Sequence, residues 1–495
     1  VRARASLALL LLVAVGCGSP ALATPLDPNQ VKIVTGAGTE LPYVAVRVVI
    51  YSGSTDDPPG REGLAYFTAS LMRRDASLPG PADVVTPPSF ELSVAKDEIV
   101  FSGRASLKEF DSWYTGFRDM ILTPRFDPAE LEKVRIDQRN VVEAVRQDDA
   151  SLARESLDLL LYRNHPYGHL VAGRTGAIDA FTREDALAFH RAHVVKGNVA
   201  IGLAGPFSES IVDRIRKDFD ALPDGQPPRP ASIPTLLPRR RVLLIEKESR
   251  DTIQIRMGEP ISVTRAHADY FPLRLAAACL GEPGEAASRL NREIRSARGI
   301  SESVGAGIEE VSGPGTPAGD SPGGLPRREQ MFSLWLQPKS INAKFAIKLA
   351  LAEVQDLSKG EVSGDALDGM RTALSTRHSL AQGSPDRRLI AALDEILVET
   401  AGFDDRYAKT LAAVTVDRAA SAAKRHLTPE HLGIVAVVSD AAAFVDQMIS
   451  AETLIEYPPG ISRDATRDRD LEIVGMGLAL KREDFEIVKA ADLFR

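Results

Sequence analysis

Two histidine pairs have a spacing that could do chemistry. His165 and His169 stand four apart in HPYGH, and His190 and His193 stand three apart in FHRAH. Imidazoles one turn apart on a helix can hold a divalent ion, whose bound water becomes a nucleophile once a carboxylate takes its proton. Pro166 and Gly168 argue against a helix in the first pair, so HPYGH reads as a turn. The second pair fits a helix, but no acidic third ligand lies near it in sequence. Neither H-x-x-E-H nor H-E-x-x-H occurs in the chain. Of the two cysteines, Cys279 falls in an apolar helical run and reads as a small buried hydrophobe, so no disulfide is expected.

The elements that would position such residues belong to more than one domain, since the chain has 495 residues. Its net charge of −8 is spread along the sequence without a dominant basic block, which excludes nucleic acid as the expected partner. Arg2 and Arg4 precede the apolar run LALLLLVAV, too short to span a bilayer. Residues 1–23 therefore read as a signal peptide. Two cleavage sites compete: AVGC would leave Cys17 as a lipidated first residue, and Ala21-Leu22-Ala23 would release a soluble protein. Either way export is expected, to a bacterial cell envelope, as a periplasmic protein or an outer-membrane lipoprotein. Contact with a membrane is expected only through that lipid.

Past the leader, strand patterns alternate with long helical ones. VAVRVVIYSG reads as a strand, GLAYFTASLM opens a helix over 63–73, and FELSV with EIVFSGRAS reads as a hairpin. Three helical patterns and the strand GNVAIGLAGP close a first domain over 25–222. A Pro-rich linker at 223–239 precedes a second domain at 240–455, and a tail runs over 456–495, ending in an LF pair expected to dock on the body. The domains repeat each other. TREDALAFHRAH at 182–193 aligns without gaps on TVDRAASAAKRH at 415–426, and NVAIGLAG aligns on HLGIVAVV. IYSG and the helix at 63–73 match IRMG and a helix at 268–280. The pairing of His193 with His426 suggests one structural role in both copies. The expected fold class is α+β: two homologous mixed rolls, each a sheet covered by helices, forming a clamshell around a central cavity.

Four stretches carry a resemblance. They are SGSTDDPPGREGLAYFTASLM, LTPRFDPAELEKVR, NHPYGHLVAGRTGAIDAFTREDALAFHRAHVVKGNVAIGLAGPF and SRLNREIRSARGISESVGAG. Together they resemble the insulinase/pitrilysin superfamily of zinc peptidases over almost the whole mature chain. That family reads H-x-x-E-H in the helix where this chain has GLAYFTASLM, with a further glutamate on a later helix completing the zinc ligands. By resemblance the ligand, base and second ligand positions are Tyr66, Ala69 and Ser70, and the later glutamate falls on Ala144, next to Glu143. A phenol, a hydroxyl and two methyl groups replace two imidazoles and two carboxylates, so no zinc and no other cofactor is expected. The family's substrate-binding Arg and Tyr fall on Arg295 and Glu302, which leaves at most Arg295 for a peptide. Its bland reading is a surface arginine, and both stand. Glu143 reads as a surface carboxylate, and the Gly/Pro-rich loop 312–326 as a mobile insertion.

The resemblance implies a degenerate, non-catalytic member of the family. Members that work as pairs suggest a subunit beside a homologous zinc-bearing peptidase, shaping a chamber for a peptide or unfolded polypeptide. Alternatives are a stand-alone peptide-binding or envelope-scaffold protein and, less favoured, an active metalloendopeptidase.

Overall fold

The computed structural model of the chain describes residues 26–36, 38, 40–76, 88–227, 237–248, 251–308, 327 and 329–495. The leader expected at 1–23 with Cys17, residues 228–236 of the linker and the loop 312–326 lie outside them.

The first half builds a five-stranded sheet. Its strands are β1 (Lys32–Thr35), β2 (Val44–Ile50), β3 (Ser89–Val94), β4 (Ile99–Ala105) and β5 (Val199–Ala204), in the order β1-β5-β2-β4-β3. Its helices are α1 (Leu64–Arg74), α2 (Phe110–Leu122), α3 (Pro128–Gln147), α4 (Asp149–Leu161), α5 (Thr175–Asp179), α6 (Arg183–His193) and α7 (Glu209–Phe219). The second half contributes β6 (Val242–Glu246), β7 (Gln254–Ile261), β8 (Ser301–Gly307), β9 (Gln330–Pro338) and β10 (Gly433–Val438), and the tail adds β11 (Phe485–Lys489). Their order is β11-β6-β10-β7-β9-β8. The helices are α8 (Tyr270–Gly281), α9 (Ala343–Ser358), α10 (Gly364–Ala381), α11 (Pro385–Leu397), α12 (Phe403–Ala412), α13 (Val416–His426), α14 (Ala441–Ile449) and α15 (Arg467–Gly475).

Set aside β11 and the two sheets have one strand order. In each, the first and last strands of the half run parallel and the other neighbours antiparallel. The capping chemistry repeats as well. Thr182 and Thr415 cap α6 and α13, each hydroxyl accepting the amide three residues on. Strand pairing corrects one detail of the sequence alignment. Val49 pairs with Ala200 and Gly258 with Gly433, so the counterpart of IYSG is residues 259–262 rather than IRMG, and Ser52 corresponds to Ile261. Strand β1, short and near a sheet edge, carried no pattern that the sequence reading used.

The halves are joined by exchange. Helix α4 of the first half packs on β7 and β10 of the second sheet, where Leu152, Leu157 and Leu161 share a core with Leu243, Val435 and Val437. In return α11 packs on β5 and β1, with Leu389 and Leu393 against Val49, Val100, Ala200 and Ala204. Gly202 makes room for this helix, since a Cβ there would stand 2.9 Å from both leucines. With both faces covered, every residue of VAIGLA in β5 and of GIVAVV in β10 is buried, which is why these strands are continuous apolar runs rather than alternating ones. The tail spans both halves: β11 runs parallel to β6, and Leu493 and Phe494 enter the first-half core.

Candidate functional site

Helix α1 is started by a buried turn. Asp57 accepts the Gly63 amide at 2.6 Å and the Ala65 amide at 2.7 Å, taking two donors that the helix itself leaves unpaired. Gly63 has φ 99°, and a Cβ on it would sit 2.7 Å from the Ala172 carbonyl oxygen. Gln138 of α3, fully buried, donates to the Gly63 and Ala172 carbonyls at 2.9 Å each and locks the three segments together.

On α1, Tyr66 and Ser70 are half-buried and share a face, whereas Ala69 is fully buried. Burial and then the Asp137 carboxylate raise the Tyr66 phenol above its ordinary pKa. Arg74, one turn beyond Ser70, is ion-paired with Asp137 and approaches Glu130 at 3.6 Å. Ala144, the expected third position, carries a methyl group and no ligand atom. That residue is exposed, seven positions past Asp137, about 10 Å farther along the axis of α3. Helix α3 meets α1 through Asp137 and Gln138, while Val134, Gln138, Val142 and Val145 form its buried stripe. Zinc does not fit the residues present. The one carboxylate beside Tyr66 is neutralised by a guanidinium, and neither the phenol nor the hydroxyl can stand for an imidazole. No step through a metal follows at α1.

The remaining sequence candidates are dispersed. His165 caps a short 3-10 turn, its Nδ1 accepting the Tyr167 amide at 3.1 Å. His169 is held by the Leu170 carbonyl at 3.1 Å, and burial pushes its pKa down to about 4. The HPYGH turn serves Lys96, which donates to the Tyr167 and His169 carbonyls at 2.8 and 2.6 Å and pairs with Asp158 at 3.2 Å. His190 bonds the Ile121 carbonyl through Nε2 at 2.8 Å, and His193 meets Ser52 Oγ through Nδ1 at 2.9 Å. Arg295 and Glu302 are both exposed, on a π-helical turn and on β8. The neighbouring Arg298 is the buried one, fixed by Asp470 at 2.7 Å and Glu293 at 3.0 Å. Cys279 is buried, and burial pushes its thiol up to about 12.

The sequence pointed to a cavity between the halves but not to its lining: a cavity of about 730 Å³ is bordered by α3, α5, the ends of β6 and β11, and the C-terminal residues. Its cations serve the joint. Lys247 donates to the Arg146 and Gln147 carbonyls at 2.8 and 2.7 Å, at the negative end of α3, and to Asp149 at 2.6 Å. Arg146 donates to the Leu493 carbonyl at 2.8 Å. Glu143, at the rim, is tied to Gln147 at 2.6 Å, which holds its carboxyl below the usual range. Only tertiary contact joins these residues, so no local pattern could have found them.

Comparison with known proteins agrees with this geometry. Residues 180–374 match the family model described as the peptidase M16 inactive domain. The fold is M16-like, and this segment is similar to that inactive domain. This M16-like fold is shared with the peptidase M16 inactive domain structure from Pseudomonas fluorescens, at TM-score 0.71 and 22% identity, over 84% of this chain and 97% of that one. It is also similar to a chain of complex III2 from Candida albicans, at TM-score 0.65 and 13% identity, over 93% of this chain and 100% of that one. Among curated proteins it resembles the uncharacterized zinc protease YmxG of Bacillus subtilis, 24% identical over 208 residues, or 39% of this chain and 48% of the other. The chain thus spans about half the length of that curated relative.

Proposed function

We propose that this chain is an exported, non-catalytic subunit that completes the peptide chamber of a homologous zinc-bearing peptidase. The observation that carries the reading is Arg74 seated on Asp137 beside Tyr66, Ala69 and Ser70. The helix and its supporting α3 are kept, while a phenol, a methyl group and a hydroxyl stand where ligands and base belong, with a cation one turn beyond. The exchange of α4 and α11 supports the need for a second chain. These helices cover the sheet faces between the halves, so an open sheet-lined chamber has to form against another molecule. The likeness to a chain of a multi-subunit complex supports assembly with other subunits. Export rests on the sequence over 1–23. Among the described residues no helix is long and apolar enough to cross a membrane. The stand-alone peptide-binding alternative is less favoured because α4 and α11 cover the sheet faces to which an added strand-like peptide would bind.

The test is reconstitution with the zinc-bearing homologue from the same cell. The two chains are expected to copurify, and adding this one should raise peptide cleavage that a chelator abolishes. A homologue whose binding and turnover are indifferent to this chain would sink the proposal.

A further inference from the structure

In the second half, the loop before α8 and the end of α13 bring together two imidazoles and a carboxylate. Among the described residues, His267, Asp269 and His426 form the one group of three such side chains whose ligand atoms all lie within 4.8 Å of one another. His426 Nε2 stands 2.8 Å from Asp269 Oδ2, the Asp269 amide donates to His267 Nδ1 at 3.0 Å, and the two rings meet edge to face at 5.3 Å. We infer that His267, Asp269 and His426 form a surface site for a divalent transition-metal ion of the zinc, copper and nickel group.

Position and chemistry support this. Asp269 is the N-cap residue of α8, yet its side chain does not cap that helix; it turns to His426 and Arg425 at the end of α13. His267 is exposed and the other two are half-buried, so the group is open to solvent ions. Two imidazoles and one carboxylate suit zinc, copper or nickel and leave a position for water. Ligand atoms about 2 Å from one ion lie about 3.3 Å apart, so an exposed His267 closes the set with a small rotation. Binding would exchange the cluster's internal hydrogen bonds for coordination and release the proton on the donated nitrogen.

The first half shows that the cluster is not a requirement of the repeated fold. The N-cap of α1 is Gly63, and Arg61 stands where His267 would be. There His193 is satisfied by Ser52 and stacks on Phe189 at 4.2 Å. In the second half Ile261 takes the place of Ser52, which leaves His426 to Asp269. The expected shared role of His193 and His426 is therefore corrected: their surroundings differ.

The test is a titration of the untagged, chelator-treated full chain with Zn²⁺, followed by calorimetry, and with Co²⁺, followed by its visible spectrum. One ion per chain is expected. His267→Ala, an exposed change that leaves the α8–α13 contact intact, should weaken binding by at least about tenfold. Arg425→Ala, which removes the cation paired with Asp269, should tighten it. No binding by the wild-type chain, or binding unaltered by His267→Ala, would overturn the assignment. The outcome is independent of peptidase pairing, since neither arm measures cleavage.

Discussion

Arg74 is ion-paired to Asp137 across the contact of α1 with α3, and Asp137 is the charge that, after burial, raises the Tyr66 phenol. The pair ties the two helices together without a ligand.

That relationship sets how zinc could be restored. Tyr66→His and Ser70→His place imidazoles at i and i+4 on the half-buried face, and Arg74→Ala frees Asp137 as third ligand. Built on a His267→Ala background, this triple change should take up one zinc, read by metal analysis after dialysis. Ala144 lies two turns past Asp137 on the same exposed face of α3, so Ala144→Glu with Arg74 kept tests the second place for an acid. Zinc uptake by neither variant would refute the placement of Tyr66 and Ser70 at the ligand positions.

The exchange of helices makes Leu393 a joint residue. It is 1% exposed and packs from α11 onto the first sheet. Leu393→Ala should cost about 2–5 kcal/mol in urea unfolding. The loss should come as one transition, because α11 belongs to the second half by sequence and to the first sheet by packing. Two separated transitions in the wild-type chain would contradict this coupling.

Asp394, next in α11, gives the joint a pH dependence. Burial and then the Glu98 carboxylate raise its pKa above the usual carboxylate value, with Arg265 and Arg47 opposing. The folded state then binds more protons than the unfolded one above about pH 4, so stability falls as pH rises through that window. Asp394→Asn should flatten the fall measured by thermal melting between pH 5 and 8. A variant with the wild-type slope would place the dependence elsewhere.

His193 acts on the acid side with the opposite sign. Burial pushes its pKa from 6.5 down to about 4, so its contribution is complete above 6.5 and is lost as pH falls toward 4. His193→Asn, which retains a partner for Ser52, should lessen the slope of stability against pH in that range. An unchanged slope would mean that His193 does not titrate on unfolding.

Much of this organisation was legible in the sequence because caps and periodicity are local. Thr182 and Thr415 with the helices after them revealed the repeat, and the runs VAIGLA and GIVAVV marked strands, whose two faces the structure shows to be covered. What covers those faces was not legible. An apolar stripe says that a helix is buried, not that Leu393 will serve the other half's sheet. The site divided in the same way. Tyr66, Ala69 and Ser70 lie in one helix, so the resemblance carried by that stretch placed them together. The pairing of Arg74 with Asp137 on α3 depends on how two helices cross, and no pattern along the chain shows it. The grouping of His267 with His426 spans 159 positions and needed the fold.

The traded helices also impose an order on synthesis. The first sheet is complete by residue 204, but the helix that covers its second face ends at residue 397, and the aromatic that closes its core is Phe494. A ribosome would release nearly the whole polypeptide before the earliest-made strands could lose their last contact with water. Until then the nascent chain carries an uncovered apolar surface, and any factor that shields it must stay bound until Phe494 has been made.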